Sequence, residues 1–258
     1  MDKVSDLITK YYRHVRFGQQ VLEDEIACAI LKQRGLVLDA GCGADAPLTR
    51  KFGAHATVIG VDLCLASDLP RSLFAIHGDL GSLPFPNETF SLIFSRSVFE
   101  HITDPEKVLL EFHRVLAPGG ICLIQTPSAW DYASIIARVT PQKFHDWYVG
   151  RIFGEAAYDT FPVVYRANTS GYYRRFIRRQ QGKWLSLQVE GLRHYPCYLG
   201  FSRILFRLGV GYDWLVARLG LTNLHPTLLI KLTKAAPPQL PERGDNTAHL
   251  TGLLEMLP

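Results

Sequence analysis

The sequence predicts a doubly wound α/β fold built on a mostly parallel sheet, and two observations carry the prediction. Residues 36–38 form a short apolar run that ends in Asp39, Gly41 and Gly43, as a buried strand does before a glycine loop. Between residues 35 and 126, the pattern of an apolar strand followed by a helical segment occurs five times. Such repetition produces parallel strands with helices on both faces of the sheet.

The composition narrows the class of protein. The 258 residues, 47% of them hydrophobic, suffice for one domain with a sizeable core. A formal net charge of +4 gives no general argument for nucleic-acid binding. The five cysteines form no Cys-x-x-Cys pair, so we expect no metal site, no disulfide framework and a cytoplasmic location. No signal peptide and no apolar run of the roughly 18 residues that span a membrane are found.

Residues 1–34 predict a helical cover in front of the first strand. Apolar positions recur at helical spacing over residues 3–17 and 19–34, and Gly35 is the expected C-cap of the second helix. The cover either packs on the edge of the sheet or forms a lid over the ligand. A lid would bring Tyr11, Tyr12 or Arg16 to the site.

The acids after the first three strands predict a nucleotide-like site. The segment 44–52 can open a helix whose free N–H groups face the glycine loop. The second strand ends at Asp62, about 20 residues after Gly41, where an acid in doubly wound folds accepts hydrogen bonds from ribose hydroxyls. A helix N-cap is the alternative role for this acid. A third strand over residues 73–76 leads to Asp79 beside the same cleft.

Two further strands complete the predicted core. The fourth covers residues 90–95 and the fifth covers residues 121–126. Between them, Asp104 and Pro105 predict the cap and first turn of a helix that runs to Leu116. The helix should break at residues 118–120, a Pro-Gly-Gly sequence.

Residues 35–126 resemble the core of class I S-adenosylmethionine-dependent methyltransferases of the small-molecule, methyltransferase domain 11-like type. The motifs that carry the resemblance are Val-Leu-Asp-Ala-Gly-Cys-Gly at 37–43, Asp62, Gly78-Asp79, Leu-Pro-Phe at 83–85, and the runs 97–102 and 114–120. The resemblance implies a Rossmann-like sheet of seven strands, with N-terminal helices and an insertion after strand five. It also implies that strands near 184–189 and 228–232 pair antiparallel.

The same resemblance implies S-adenosylmethionine as the cofactor. The implied cofactor-binding residues are Asp39, Gly41, Cys42, Gly43, Asp62, Leu63, Asp79, Leu80, Ser95 and Arg96. The glycines would approach the amino-acid end of the cofactor, and Asp39 would hold their loop. Asp62 would bind the ribose, Asp79 and Leu80 would meet the adenine, and the last two residues would line the cleft near the methionine moiety.

A dinucleotide-binding dehydrogenase is the main alternative for the glycine loop. That fold needs a third glycine near position 46, where Ala46 and Pro47 stand. Asp45 would repel a pyrophosphate, whereas S-adenosylmethionine carries no phosphate and has a positive sulfonium. The methyltransferase interpretation is therefore favoured.

The chain after the core predicts where an acceptor binds. Residues 127–182 are far longer than an ordinary βα connection and rich in aromatic residues, so they predict an acceptor-binding insertion or a satellite core. Candidate acceptor contacts are Trp130, Trp147, Tyr165 and Arg166. His145 and His101 are candidate general bases, because a histidine near its working pKa accepts a proton from a hydroxyl. A surface position for the first and a packing role for the second are the alternatives.

Charge and hydropathy leave alternatives in the second half of the chain. Residues 130–183 contain nine basic and four acidic residues, which fits an anionic acceptor or a solvated helix face. Residues 183–235 predict the last strands with an apolar helix over 198–220, which extends the core, covers the pocket or contacts a membrane or lipid. Residues 236–258 predict a flexible tail.

The expected activity is methyl transfer to a small-molecule acceptor, at oxygen. Lipid-linked, glycan, RNA and protein acceptors are alternatives. A macromolecular acceptor such as RNA calls for a basic patch or a recognition domain, and the arginine cluster at 174–179 is its only support. A module that binds the cofactor without turnover is a second alternative.

Overall fold

The structure, a computed structural model, describes residues 4–70, 72–139 and 162–236. Its centre is a seven-stranded sheet in the order β3-β2-β1-β4-β5-β7-β6. The strands are β1 (Leu36–Ala40), β2 (Val58–Asp62), β3 (Ala75–His77), β4 (Phe90–Arg96), β5 (Leu116–Pro127), β6 (Trp184–Leu192) and β7 (Thr227–Lys234).

Helices flank the sheet before, between and after its strands. They are α1 (Ser5–Tyr12), α2 (Gly18–Lys32), α3 (Pro47–Phe52), α4 (Pro105–Val115), α5 (Tyr132–Val139), α6 (Ser170–Arg179) and α7 (Arg203–Leu219). Short 3-10 turns at Cys197–Leu199 and Thr222–Leu224 flank α7.

Strand direction brings most carboxyl ends to one edge of the sheet. β3, β2, β1, β4 and β5 are parallel, and β7 runs antiparallel to both β5 and β6. β6 therefore runs in the same direction as β5. The predicted doubly wound, mostly parallel sheet of seven strands is confirmed, as is its antiparallel far edge.

Both faces of the sheet are covered, so consecutive strand residues are buried on opposite sides. On one face, Leu38 and Ile93 pack in a core that includes Phe112 of α4 and Phe176 of α6. On the other face, strand residues pack against Leu22 of α2 and other residues of α2 and α3. The continuous apolar runs of the sequence follow from this two-sided burial.

A third cluster joins the N-terminal helix to α7. Val4, Leu7 and Tyr12 pack against Phe206 of α7. α1 therefore packs with the C-terminal helical layer as a structural cover. Arg16 pairs with Asp24 at 3.0 Å instead of reaching a ligand site.

Several predicted helix boundaries were wrong. α1 ends at Tyr12 instead of residue 17, and α2 ends at Lys32, with Gln33 and not Gly35 at the C-cap. α3 begins at Pro47 instead of residue 44, because Ala46 is left-handed at φ 45° and forms part of a turn. A residue with positive φ cannot continue a right-handed helix, so the glycine loop is longer than predicted.

The predicted fivefold alternation of strand and helix is also wrong. In the described residues, β2 is joined to β3, and β3 to β4, by turns and loops. Pro70, Pro84 and Pro86 lie in these segments, and proline interrupts helical hydrogen bonding. The predicted break at 118–120 lies within the range of β5, which begins where α4 ends.

Candidate active site

A cavity of about 760 Å³ lies at the carboxyl edge of β1, β2 and β4. The ends of β1, β2 and β4, the loops after β1 to β4 and the first turn of α3 supply most of its walls, and Val108 of α4 completes them. Ligand sites in doubly wound sheets occupy this edge, at the point where the strand order reverses. Here the reversal lies between β1 and β4. Pockets for cofactors commonly measure about 300–1,000 Å³, so this cavity has room for one nucleoside-sized ligand.

The glycine loop forms the wall after β1. Gly41 has φ +81°, and a Cβ there would collide with the side chain of Val98. Gly43 has φ +74°, and a Cβ there would project into open space with no atom within 4 Å. The first glycine therefore permits close packing within the protein. The second lets a ligand approach the backbone directly.

Asp62 connects the loops that follow β1 and β2. Its Oδ2 accepts a hydrogen bond from the N–H of Gly43 at 2.8 Å, and its Oδ1 accepts one from the N–H of Cys64 at 2.9 Å. Each carboxylate oxygen has a further lone pair, so the group can still accept bonds from a diol. Asp62 thus fixes the glycine loop where it lines the cavity. Its contact with ribose stays a prediction.

Asp39 stabilises the loop from below. This buried carboxylate accepts a hydrogen bond from Thr49 Oγ1 at 2.7 Å and so connects β1 to α3. Burial raises its pKa to about 7, although the hydrogen bond from Thr49 and the charge of Arg96 act in the opposite direction. Its position agrees with the predicted role of holding the loop.

The predicted adenine end contains one acid and two apolar side chains. Asp79 is exposed, and its Oδ1 accepts a hydrogen bond from Gly81 N–H at 2.8 Å. Buried Leu80 and exposed Leu63 line the cavity beside it. An apolar surface next to a hydrogen-bond acceptor suits a flat base with an exocyclic amine.

Of the two cofactor-binding residues predicted at the end of β4, only one lines the cavity. Arg96 lines the cavity and is half-buried. Ser95 is fully buried and is not among the lining residues, and its Oγ has no hydrogen-bond partner in the described part of the chain. Side chains alternate between faces along a strand, so neighbouring residues rarely reach the same site.

His101 lines the same cavity from the loop after β4. Its Nδ1 lies 3.2 Å from the carbonyl oxygen of Pro162. A carbonyl only accepts, so Nδ1 carries the proton in this contact and Nε2 is the basic nitrogen of the neutral ring. His101 is thus a packing residue that also faces the ligand space.

The predicted acceptor residues lie elsewhere. Trp130 and Arg166 are exposed, Tyr165 is half-buried, and none of them lines the cavity described here. Tyr165 instead donates its backbone N–H to the carbonyl of Glu100 at 3.2 Å. His145 and Trp147 lie outside the described residues, as do 140–161 and 237–258. Their roles stay predictions.

A buried polar network beside the site was not found from the sequence. Thr126 Oγ1 donates to Glu100 Oε2 at 3.1 Å, and Asn168 Nδ2 donates to Thr126 Oγ1 at 2.6 Å and to the Pro127 carbonyl at 2.9 Å. The network fixes the end of β5 and the segment before α6 to the loop that carries His101. No local pattern signals it, because its members lie up to 68 positions apart in three separate parts of the chain.

The charge of the cavity favours a cationic ligand. Asp45, Asp62 and Asp79 line it. Among the described residues that line the cavity, Arg96 is the only arginine or lysine. A diphosphate would be repelled by these carboxylates, whereas a sulfonium would be attracted. With the open backbone at Gly43, this charge fits S-adenosylmethionine better than a dinucleotide.

Comparison with known families agrees with this geometry. Residues 38–124, which contain most of β1, all of β2 to β4 with α3 and α4, and most of β5, match the family described as "Methyltransferase domain". This match and the order of the sheet show that the chain resembles class I S-adenosylmethionine-dependent methyltransferases over this domain. The resemblance to this family that the sequence motifs indicated is confirmed.

Curated relatives match mainly over this domain. A "Probable S-adenosylmethionine-dependent methyltransferase" of Mycolicibacterium smegmatis is 34% identical over 116 residues, 42% of this chain and 44% of the relative. A malonyl-[acyl-carrier protein] O-methyltransferase of Erwinia billingiae is 31% identical over 128 residues, 46% of this chain and 49% of the relative. The chain thus spans about half the length of these curated relatives.

A solved structure shows that the fold alone does not specify the reaction. The [4+2]-cyclase SpnF superposes with a TM-score of 0.51 at 16% identity, covering 92% of this chain and 94% of that chain. This similarity supports the fold over almost the whole length. Function has to be argued from the site.

Proposed function

We propose that this protein transfers a methyl group from S-adenosylmethionine to a small-molecule acceptor, at an oxygen atom of that acceptor. The observation that carries the proposal is the cavity at the carboxyl edge, where the open backbone of Gly43 meets the carboxylates Asp62 and Asp79. The family match over residues 38–124 supports the same cofactor.

The residues of the cavity would act by binding and orientation. S-adenosylmethionine supplies an electrophilic methyl group, which is transferred by in-line displacement. The protein therefore needs to align the acceptor atom with that methyl and to exclude water, and it need not supply a nucleophile. Asp62 would hold the ribose hydroxyls, and Asp79 would accept a hydrogen bond from the base. Gly43 would let the amino-acid end contact the backbone.

Oxygen is proposed as the acceptor atom for two reasons. One relative is a malonyl-[acyl-carrier protein] O-methyltransferase by its name. His101 lines the cavity from the loop after β4, and an imidazole at this position is a candidate general base. A base at this position would accept the proton of an acceptor hydroxyl, whereas a carboxylate acceptor would need none.

The cofactor part of the proposal is tested with Asp62 variants. Asp62→Ala should weaken the binding of S-adenosylmethionine by at least about tenfold, because it removes both a diol acceptor and the bond to Gly43 N–H. Asp62→Asn keeps one side-chain oxygen and should have an intermediate affinity. Asp68→Ala, an exposed acid outside the cavity lining, is the matched control. Equal affinity of all four proteins in titration calorimetry would refute the assignment.

The acceptor part is tested by measuring S-adenosylhomocysteine release with separate panels of hydroxyl, carboxylate and amine compounds. Turnover with an oxygen acceptor supports the proposal, and turnover with amines alone contradicts it. His101→Asn keeps a donor near the position of Nδ1 but removes the basic nitrogen. It should lower kcat on a hydroxyl acceptor by about 100-fold and leave turnover of a carboxylate acceptor nearly unchanged.

A further inference from the structure

Helix α7 leaves the sheet at the same edge as the cavity. β6 runs parallel to β5, and Leu192 and Pro127, at the ends of these strands, both pair with Thr227. α7 follows β6 after a short segment. The ring of Tyr132 on α5 contacts Tyr212 of α7 with centroids 5.8 Å apart. The helix thus belongs to the layer that covers the carboxyl edge of β5 and β6.

One face of α7 is buried in the protein. Phe206, Gly209, Asp213 and Val216 are all buried. Phe206 packs against α1, and Asp213 accepts two hydrogen bonds from the guanidinium of Arg193 at 2.6 and 3.0 Å. This face fixes the orientation of the helix on the domain.

The opposite face exposes a row of large apolar side chains. The exposed fractions are 71% for Ile204, 65% for Leu208, 48% for Leu215 and 58% for Leu219. Their spacing of four, seven and four residues places them on one side of an α-helix. Scattered exposed leucines are ordinary, but a continuous row of four is typical of an interaction surface.

Basic and aromatic residues lie along this row. Arg207 and Arg218 are exposed on α7, and the guanidinium of Arg218 lies 5.5 Å from the ring centroid of exposed Trp214. The acid within α7, Asp213, is buried and paired with Arg193. The exposed surface of α7 therefore carries positive charge and no carboxylate of its own.

We propose that the exposed face of α7 docks on the surface of an anionic lipid bilayer, with the helix axis parallel to the membrane plane. Leucine and isoleucine side chains enter the boundary of the acyl chains, Trp214 lies at the headgroup level, and Arg207 and Arg218 contact lipid phosphates. Charge complementarity selects this occupant, because arginines beside an apolar row attract anionic headgroups. No helix of the described residues is long and apolar enough to cross a membrane.

The docking proposal stands on α7 alone and does not depend on which reaction the cavity performs.

Flotation of the full chain with vesicles of phosphatidylcholine, alone or mixed with phosphatidylglycerol, tests the proposal. The protein should float with the mixed vesicles and much less with phosphatidylcholine alone. Leu208→Glu with Leu215→Glu should lower the partition coefficient by on the order of 100-fold, since each leucine that fails to transfer contributes about tenfold. The matched control is Leu31→Glu with Leu185→Glu, on α2 and β6, whose side chains are 86% and 72% exposed. This control should float like the unmodified protein.

Two further measurements keep the result interpretable. Arg207→Gln with Arg218→Gln leaves the apolar row intact and should abolish the preference for anionic vesicles. Trp214 fluorescence should shift to the blue on binding and be quenched by brominated lipid, and Trp214→Phe should remove that quenching. No flotation of the unmodified protein overturns the proposal, as does equal flotation of the Leu208→Glu, Leu215→Glu variant. Sedimentation that shows a dimer which this variant dissociates overturns it in favour of a second copy of the chain.

Discussion

Substitution of two glycines that have the same backbone φ can separate the effect of backbone strain on stability from the effect of ligand contact on binding. Gly43 and Gly119 both have φ +74°, and a Cβ at either would have no atom within 4 Å. Gly43 lines the cavity, whereas the carbonyl of Gly119 accepts a hydrogen bond from Gln33 just past the end of α2, far from the lining. Gly43→Ala and Gly119→Ala are therefore a matched pair.

Both substitutions should destabilise the fold to a similar extent. An alanine forced into the left-handed region costs about 1–2 kcal/mol, and no steric clash adds to it at either position. For a domain of this size, that free energy corresponds to a fall in Tm of roughly 2–8 °C. Thermal unfolding followed by circular dichroism measures it.

Only Gly43→Ala should impair ligand binding. Its new methyl group projects into the cavity and prevents a ligand from reaching the backbone. The loss of this contact should weaken the binding free energy by about 1.5–3 kcal/mol, which raises Kd by a factor of about 10 to 100. Titration calorimetry with S-adenosylhomocysteine gives the two affinities directly. Equal Kd values for the two variants would refute the assignment of Gly43 to the cofactor wall, whatever the stability change.

Three further predictions concern stability. Burial raises the pKa of Asp39 to about 7, so the native state holds its proton more tightly than the unfolded chain. The free energy of unfolding of the unmodified protein should therefore fall relative to that of Asp39→Asn as the pH rises from about 4 to about 7. Urea titrations of both proteins at each pH measure this. A difference between the two free energies of unfolding that stays constant with pH would contradict the prediction. Arg193→Leu leaves the buried carboxylate of Asp213 without its partner and should cost about 3 kcal/mol, with part of the loss recovered in Arg193→Leu, Asp213→Leu. Phe112→Ala removes a fully buried ring of α4 and should cost about 3–5 kcal/mol in the same assay.

The sheet was predictable because its determinants are local. Parallel strands buried on both faces leave short apolar runs in the sequence, and the runs of β1, β2 and β3 lead into glycine or an acid where the cavity lies. The loop at 41–43 and the acids after β1, β2 and β3 follow from this pattern. The helices predicted between β2 and β4 were wrong. They were inferred from the alternation of strands and helices elsewhere, although three prolines interrupt these segments.

The rest of the site depends on contacts that local sequence does not specify. The hydrogen bonds that join Glu100, Thr126 and Asn168 connect three separate parts of the chain. The second function of Asp62, closing the glycine loop through Gly43 N–H, appears only when β1 and β2 are paired. The acceptor side is least predictable, since Trp130, Tyr165 and Arg166 were chosen by residue type and the described cavity is lined by others.

Binding of S-adenosylmethionine to the full chain is the most direct test of the cavity as a methyltransferase site. Titration calorimetry would compare S-adenosylmethionine, S-adenosylhomocysteine and NAD⁺ under one set of conditions. The geometry predicts saturable, equimolar binding of the first two ligands and none of NAD⁺, because Asp45, Asp62 and Asp79 oppose a pyrophosphate. Binding of NAD⁺ without either sulfur compound, or binding of none of the three, would contradict the assignment of the cavity.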